Sequence, residues 1–134
     1  MLIIAISSLG LITINALAAS NYVLIPVQAE YYALEGLTQL LQTIASVQNS
    51  FNPDLDILGV VLTMYDKRTT LANDVKNEIK NFFNNKLLKT VIPRNIRLAE
   101  APSHGLTIEQ YDHWSRGAKA YRNLAKELMA MINN

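Results

Sequence analysis

Hydrophobic residues along this chain fall into short continuous runs that alternate with longer periodic stretches, and the alternation predicts strand and helix in turn. Leu2 to Ile6 is a short apolar run. Ser7 and Ser8 then offer an N-cap, and Leu9 to Ala19 reads as a helix ended by Ser20 and Asn21. Tyr22 to Pro26 (YVLIP) is an apolar strand closed by proline. Tyr31 to Val47 places Leu34, Leu37, Leu40, Leu41 and Ile44 at helical spacing, and residues 49–53 turn the chain. Ile57 to Met64 (ILGVVLTM) is too uniformly hydrophobic for one wet face, which is how a parallel strand covered on both sides reads. Thr69 to Phe83 predicts a helix with Leu71, Val75, Ile79 and Phe82 inward and Lys76 and Lys80 outward, followed by a short strand from Leu88 to Ile92. Residues 93–113 show no period and read as a long irregular segment, a kind that is usually functional or disordered. Ser115 to Ile132 closes the chain as a helix with Ala118, Tyr121, Leu124, Ala125 and Leu128 on its apolar side.

Strands alternating with helices at these lengths imply right-handed crossovers and a mostly parallel sheet. The expected fold is therefore α/β: an incomplete doubly wound, mostly parallel sheet with helices on both faces, forming one domain over residues 1–134. Ligands of such sheets sit beyond the carboxyl ends of the strands, here after Pro26, Met64 and Ile92.

Composition narrows the chemistry. The absence of cysteine excludes disulfides, zinc–thiolate sites and a cysteine nucleophile, and His104 and His113 match no metal-ligand spacing. No metal and no catalytic residue is expected in this chain. Ser103 beside His104 makes no triad, and no G-x-S-x-G elbow occurs. Trp114, Tyr31, Tyr32, Tyr65, Tyr111 and Tyr121 are expected to pack rather than to stack on bases. The opening MLIIAISSLGLITINALAAS imitates a targeting segment or membrane anchor. It lacks a basic start, however, the first positive charge being Lys67, and Ser7, Ser8, Gly10, Thr13 and Asn15 interrupt the run a span needs. A buried strand and helix explain it better, and no membrane association is expected.

Net charge is +1, but it is segregated: residues 1–66 hold five acids and no Lys or Arg, while residues 67–134 hold all twelve bases and six acids. Such asymmetry can create a positive face that attracts a polyanion, although a merely solvated helical surface would give the same count. A nucleotide-hydrolysing version of this fold needs the phosphate loop G-x-x-x-x-G-K-[ST] and an acid at a strand end for Mg²⁺. The glycines here are Gly10, Gly36, Gly59, Gly105 and Gly117; none directly precedes a lysine, and no acid occurs before Glu30.

Five segments carry a family likeness: SLGLITINAL (Ser8 to Leu17), VLIPVQAEYYALEGLTQLL (Val23 to Leu41), GVVLTMYDKRTTL (Gly59 to Leu71), TVIPRNIRLAEAPSHG (Thr90 to Gly105), and YD followed by SRGAKAYRNLAKEL between Tyr111 and Leu128. In order and over nearly the whole chain they resemble the chromosome- and plasmid-partitioning ATPases of the ParA/Soj family. The resemblance implies a deviant-Walker P-loop ATPase that uses ATP and Mg²⁺, forms a sandwich dimer, binds DNA without sequence preference and responds to a ParB-type partner. It implies a cytoplasmic, nucleoid-associated protein. The chain departs from the family at its beginning: the Lys-Gly-Gly-Val-Gly-Lys-Thr-Thr loop is not in this sequence, and where the family reads Asp-Cys-Pro-Pro-Ser-Leu-Gly this chain reads IAISSLG. That alignment puts Ile4 at the Walker B aspartate and Ile6 and Ser7 at the two prolines. The expectation is a truncated family member with no bound ATP or Mg²⁺ and no ATPase activity of its own. The alternatives are a regulatory module docking onto an intact ParA-like protein, or a gene remnant; a homodimer is also open.

The resemblance further implies roles for individual residues. Arg68 and Arg97, with Lys67, fall on positions that serve non-specific DNA binding, where an arginine fork pairs with phosphate oxygens whatever the base sequence. Thr63, Met64, Pro93 and Arg94 fall where loops approach the adenine base, although Met64 and Pro93 also end strands. Gln28 and Glu30 match a switch-like segment at the dimer interface, or equally cap the helix that follows.

Overall fold

The computed structural model describes residues 1–5 and 10–133. A four-stranded parallel sheet forms its centre, from β1 (Ile3–Ala5), β2 (Tyr22–Gln28), β3 (Asp56–Tyr65) and β4 (Leu87–Pro93), hydrogen-bonded in that same spatial order. Ile4 lies opposite Val23, Ile25 opposite Val60, and Leu62 opposite Val91. Helices α1 (Leu11–Ala19), α2 (Ala33–Ser50) and α3 (Thr70–Phe83) make the crossovers. Because the strand order steps in one direction and crossovers share one hand, all three helices fall on one face. Leu17, Leu37, Leu40, Ile44, Val47, Val75 and Ile79 pack there against Val23, Ile25, Val60 and Leu62. The other face is covered by α6 (Arg116–Ile132), whose Ala120 and Leu124 meet Leu24, Val61, Leu88 and Ile92.

β3 thus has buried residues on both faces, as its uniform hydrophobicity implied. Satisfying polar groups at the element ends fixes the connections. Asn52, in the turn after α2, donates its side-chain amide to the carbonyls of Leu17 (3.0 Å) and Ser20 (2.7 Å), so the last turn of α1 is closed from a distant part of the chain. β4 is an edge strand, and the Glu127 carboxylate accepts the backbone N–H groups of Lys89 (2.8 Å) and Thr90 (2.9 Å). That blunts an edge otherwise open to another strand.

Several sequence expectations need correction. Residues 93–113 are not irregular: they hold α4 (Ile96–Glu100), a 3₁₀ turn at Ala101–His104 and α5 (Ile108–Tyr111). Elements this short show less than two turns of periodicity, so only their caps betray them. Asn95 accepts the amides of Arg97 and Leu98, and Thr107 and Gln110 form a reciprocal capping box. β2 runs past Pro26, because proline removes one donor but keeps a strand-compatible φ. α2 starts at Ala33 rather than Tyr31, since Tyr32 is left-handed at φ 65°, and it continues to Ser50. Phe82, Tyr121 and Ala125 face solvent rather than the core. Tyr31, Tyr32 and Trp114 are exposed rather than packed, and Tyr65 is the buried member of the expected aromatic set. The expected Ser7 and Ser8 cap, and the positions assigned to Ile6 and Ser7, lie outside the described residues.

Candidate functional site at the strand carboxyl ends

Parallel strands deliver their last residues to one rim, and here β2, β3 and β4 end at Gln28, Tyr65 and Pro93. Two backbone hydrogen bonds tie the rim together: Ala29 N–H donates to the Thr63 carbonyl (3.0 Å), and Arg94 N–H donates to the Tyr65 carbonyl (3.2 Å). Between them Met64 takes a left-handed backbone, φ 53°, an unfavourable setting for a long side chain.

Beside Met64 opens a cavity of about 510 Å³. Thr63, Met64, Pro93 and Arg94 all line it, so the four residues expected near a base are brought together, joined by Gln28. Ile92, Ile96, Leu98 and Tyr121 supply apolar wall from β4, α4 and α6. Glu30 lies instead with Gln28, Tyr32 and Gly36 around a separate depression of about 370 Å³ at the start of α2. Gln28 therefore lines both, whereas Glu30 does not line the cavity beside Met64.

On the other side of Arg94 lies a smaller cleft of about 170 Å³, lined by Tyr65, Asp66, Lys67, Arg68, Arg94 and Arg116. Asp66 organises its rim. It accepts the Arg68 backbone N–H and the guanidinium Nε–H and Nη2–H, each at 3.0 Å. Those hydrogen bonds from Arg68, with a further contribution from the charge of Arg116, hold the Asp66 carboxyl down at about 2. Thr69 caps α3 directly behind this turn by accepting the Ala72 amide.

Arg97 is not among the residues that line this cleft. On α4 it pairs with Glu100 and Asp112, each at 3.4 Å, so two carboxylates share its charge. Tyr111 donates its hydroxyl to the same Glu100, and burial adds to that bond in raising the phenol above its usual value. Ser103 donates its hydroxyl to the Glu100 carbonyl. Sequence reasoning missed Arg116 altogether and read Arg94 only as base-proximal. A signal was present: α6 opens on an arginine and has no acid in its first turn, where the helix dipole favours acids.

This architecture is that of a P-loop NTPase-like α/β domain. A family model described as an AAA domain matches residues 1–57. The chain is 62% identical over 123 residues to the sporulation initiation inhibitor protein Soj of Bacillus subtilis, and 53% identical over 123 residues to the chromosome-partitioning ATPase Soj of Treponema pallidum. Each match covers 92% of this chain but 49% of the relative, so the chain spans about half the length of these proteins. Among solved structures, cobyrinic acid a,c-diamide synthase of Mycobacterium smegmatis with bound ADP and magnesium superposes with a TM-score of 0.72 at 35% identity, covering 95% of this chain and 44% of that one. The cell division ATPase MinD of Pyrococcus furiosus shares the fold, with a TM-score of 0.69 over 95% of this chain and 50% of that one. The chain belongs to the ParA/Soj family of partitioning ATPases.

Proposed function

We propose that this chain serves DNA segregation as the part of a Soj-like partitioning protein that carries the base-side cavity and a non-specific DNA-binding surface. The observation that carries the reading is the 62% identity to Soj over 92% of the chain. The placement of Lys67 and Arg68 on a cationic rim next to the base-side cavity supports it. Arg68, Arg97 and Lys67 contact phosphates; Thr63, Met64, Pro93 and Arg94 face a nucleotide base when the phosphates are held by groups outside these 134 residues. The chain by itself does not turn over ATP, since its sequence offers no amide cradle and no ammonium group for a triphosphate. The expected setting is the cytoplasm, on the nucleoid, with a ParB-type partner; no helix among the described residues is long and apolar enough to cross a membrane.

The test is duplex binding by the purified 134-residue chain, followed by fluorescence anisotropy with two unrelated sequences. Equal affinity for both, falling steeply with salt and weakened by Arg68→Ala plus Arg97→Ala, is the expected result. No binding at low salt, or magnesium-dependent ATP turnover by the chain alone, overturns the reading.

A second reading, a module that docks on an intact family member or on a second copy of itself, is supported by the apolar surface beside β1. Leu11 and Ile12, which open α1, are 75% and 85% exposed. Co-purification with a full-length relative and no DNA binding would favour it.

A further inference from the structure

We infer that the cleft between β3, β4 and the start of α6 is a seat for one phosphodiester of duplex DNA, and that Arg116 and Arg94 are the residues that make it bind. This rests on the DNA-binding reading and goes beyond it, since neither residue belongs to the DNA-binding surface assigned there, and Arg94, placed above at the neighbouring cavity, lines this cleft as well. Four cations line the cleft, Lys67, Arg68, Arg94 and Arg116, against a single acid, Asp66. Both oxygens of that acid are already engaged by the Nε and Nη2 of Arg68. No carboxylate lies within ion-pair distance of Lys67, Arg94 or Arg116 among the described residues. Other exposed arginines of this chain are paired: Arg97 with Glu100 and Asp112, and Arg122 with Glu109. The two arginines without a carboxylate partner, Arg94 and Arg116, thus meet in one cleft.

Geometry selects the ligand. The cleft is concave and, at about 170 Å³, is far smaller than the base-side cavity, so it suits one tetrahedral oxyanion rather than a ring system. Its cations come from three separate elements: the β3–α3 turn, the end of β4 and the first residue of α6. Guanidinium groups approaching from different directions can each donate to a different oxygen of the same phosphate. A single phosphate repeated along a backbone also explains why the rim is open, because the strand must enter and leave. Concentrating like charge costs stability when nothing neutralises it, which points to a ligand rather than to a structural role.

The experiment measures duplex affinity of the full 134-residue chain between about 25 and 200 mM chloride, the range over which counterion release is read. Arg116→Ala and Arg94→Ala are each expected to weaken binding about five- to tenfold at low salt and to reduce the slope of log K against log salt by about one. Arg116→Lys should recover part of the slope. Lys80→Ala, which removes the same charge from the last turn of α3, should change neither quantity. Thermal unfolding of Arg116→Ala should be unchanged or slightly raised, separating lost binding from lost fold. Wild-type binding that Arg116→Ala and Lys80→Ala alter equally overturns the seat and leaves the DNA reading standing. Absent wild-type binding removes both. Inorganic phosphate is the remaining arm: competition beyond that of chloride at equal ionic strength assigns the cleft to a free anion and overturns the backbone assignment.

Discussion

Adding one methyl group at Gly117 should destabilise this protein, although the same change elsewhere in its helices should do the opposite. Gly117 is the second residue of α6, and a Cβ built there would lie 2.7 and 2.9 Å from the two Cδ atoms of Leu98, with Leu98 Cγ closer still. The obstruction therefore includes the branch point of Leu98, which cannot swing away without lifting α4. Helix propensity favours alanine over glycine by about 1 kcal/mol. Overpacking a close contact costs about 1–3 kcal/mol. The balance predicts a net loss of roughly 0–2 kcal/mol for Gly117→Ala, taken from those two ranges. Gly36, inside α2, meets nothing within 4 Å, so Gly36→Ala should gain roughly 0.5–1 kcal/mol. Urea unfolding followed by circular dichroism gives both midpoints at pH 7. In the Leu98→Ala background the penalty of Gly117→Ala should shrink, because the obstructing atoms are gone. A higher midpoint for Gly117→Ala, matching Gly36→Ala, would refute the claim that Leu98 locks α4 onto α6.

Two further outcomes follow from the polar groups that hold α6. Burial opposes ionisation of Glu127, but the Thr90 side chain, the Lys89 and Thr90 amides and the Lys89 charge outweigh it and keep the carboxyl below its ordinary value. A depressed folded value means that its stabilisation is complete above the unfolded carboxylate range, near 4.3, and fades as pH falls through the folded value. Glu127→Gln should thus lower the urea midpoint by the equivalent of about 1 kcal/mol at pH 7 and by much less near pH 3, and a difference independent of pH would show that the charge is not what matters. Ser115, buried at the start of α6, accepts the Ala118 amide at 3.0 Å, so Ser115→Ala should cost about 1 kcal/mol in the same assay while Ser115→Asp restores most of it. An unchanged midpoint for the alanine variant would show the cap to be dispensable.

What the sequence made legible depended on the length over which each signal repeats. β3 is ten residues long and buried on both faces, so ILGVVLTM could hardly be read otherwise, and α3 repeats its apolar positions over four turns. The segment from 93 to 113 gave no such repeat. Its helices have five and four residues, and what specifies them is a set of single side chains, Asn95 and Thr107 as caps and Leu98 as the anchor in the Gly117 gap. Exposure failed for a related reason: Tyr121 was assigned inward by its spacing from Ala118 and Leu124, yet α6 sets Gly117 against Leu98 and Ala120 and Leu124 against the sheet, and leaves Tyr121 on the rim of the cavity.

The candidate site was legible residue by residue but not as an arrangement. Family likeness put Thr63, Met64, Pro93 and Arg94 in one neighbourhood, and the structure gathers them round one cavity. What that likeness did not reveal is that Arg97 pairs with Glu100 and Asp112, partners supplied by α4 itself and by the residue after α5, elements that segment's missing periodicity concealed. Arg116 takes a place in the cleft because Ser115 starts α6 where β3 and β4 end, a coincidence of three chain segments more than twenty residues apart in sequence. One dimension could still have flagged it. A helix whose first turn holds an arginine and no acid works against its own dipole, and a chain that accepts that cost beside two more unpaired cations has a negative charge to receive.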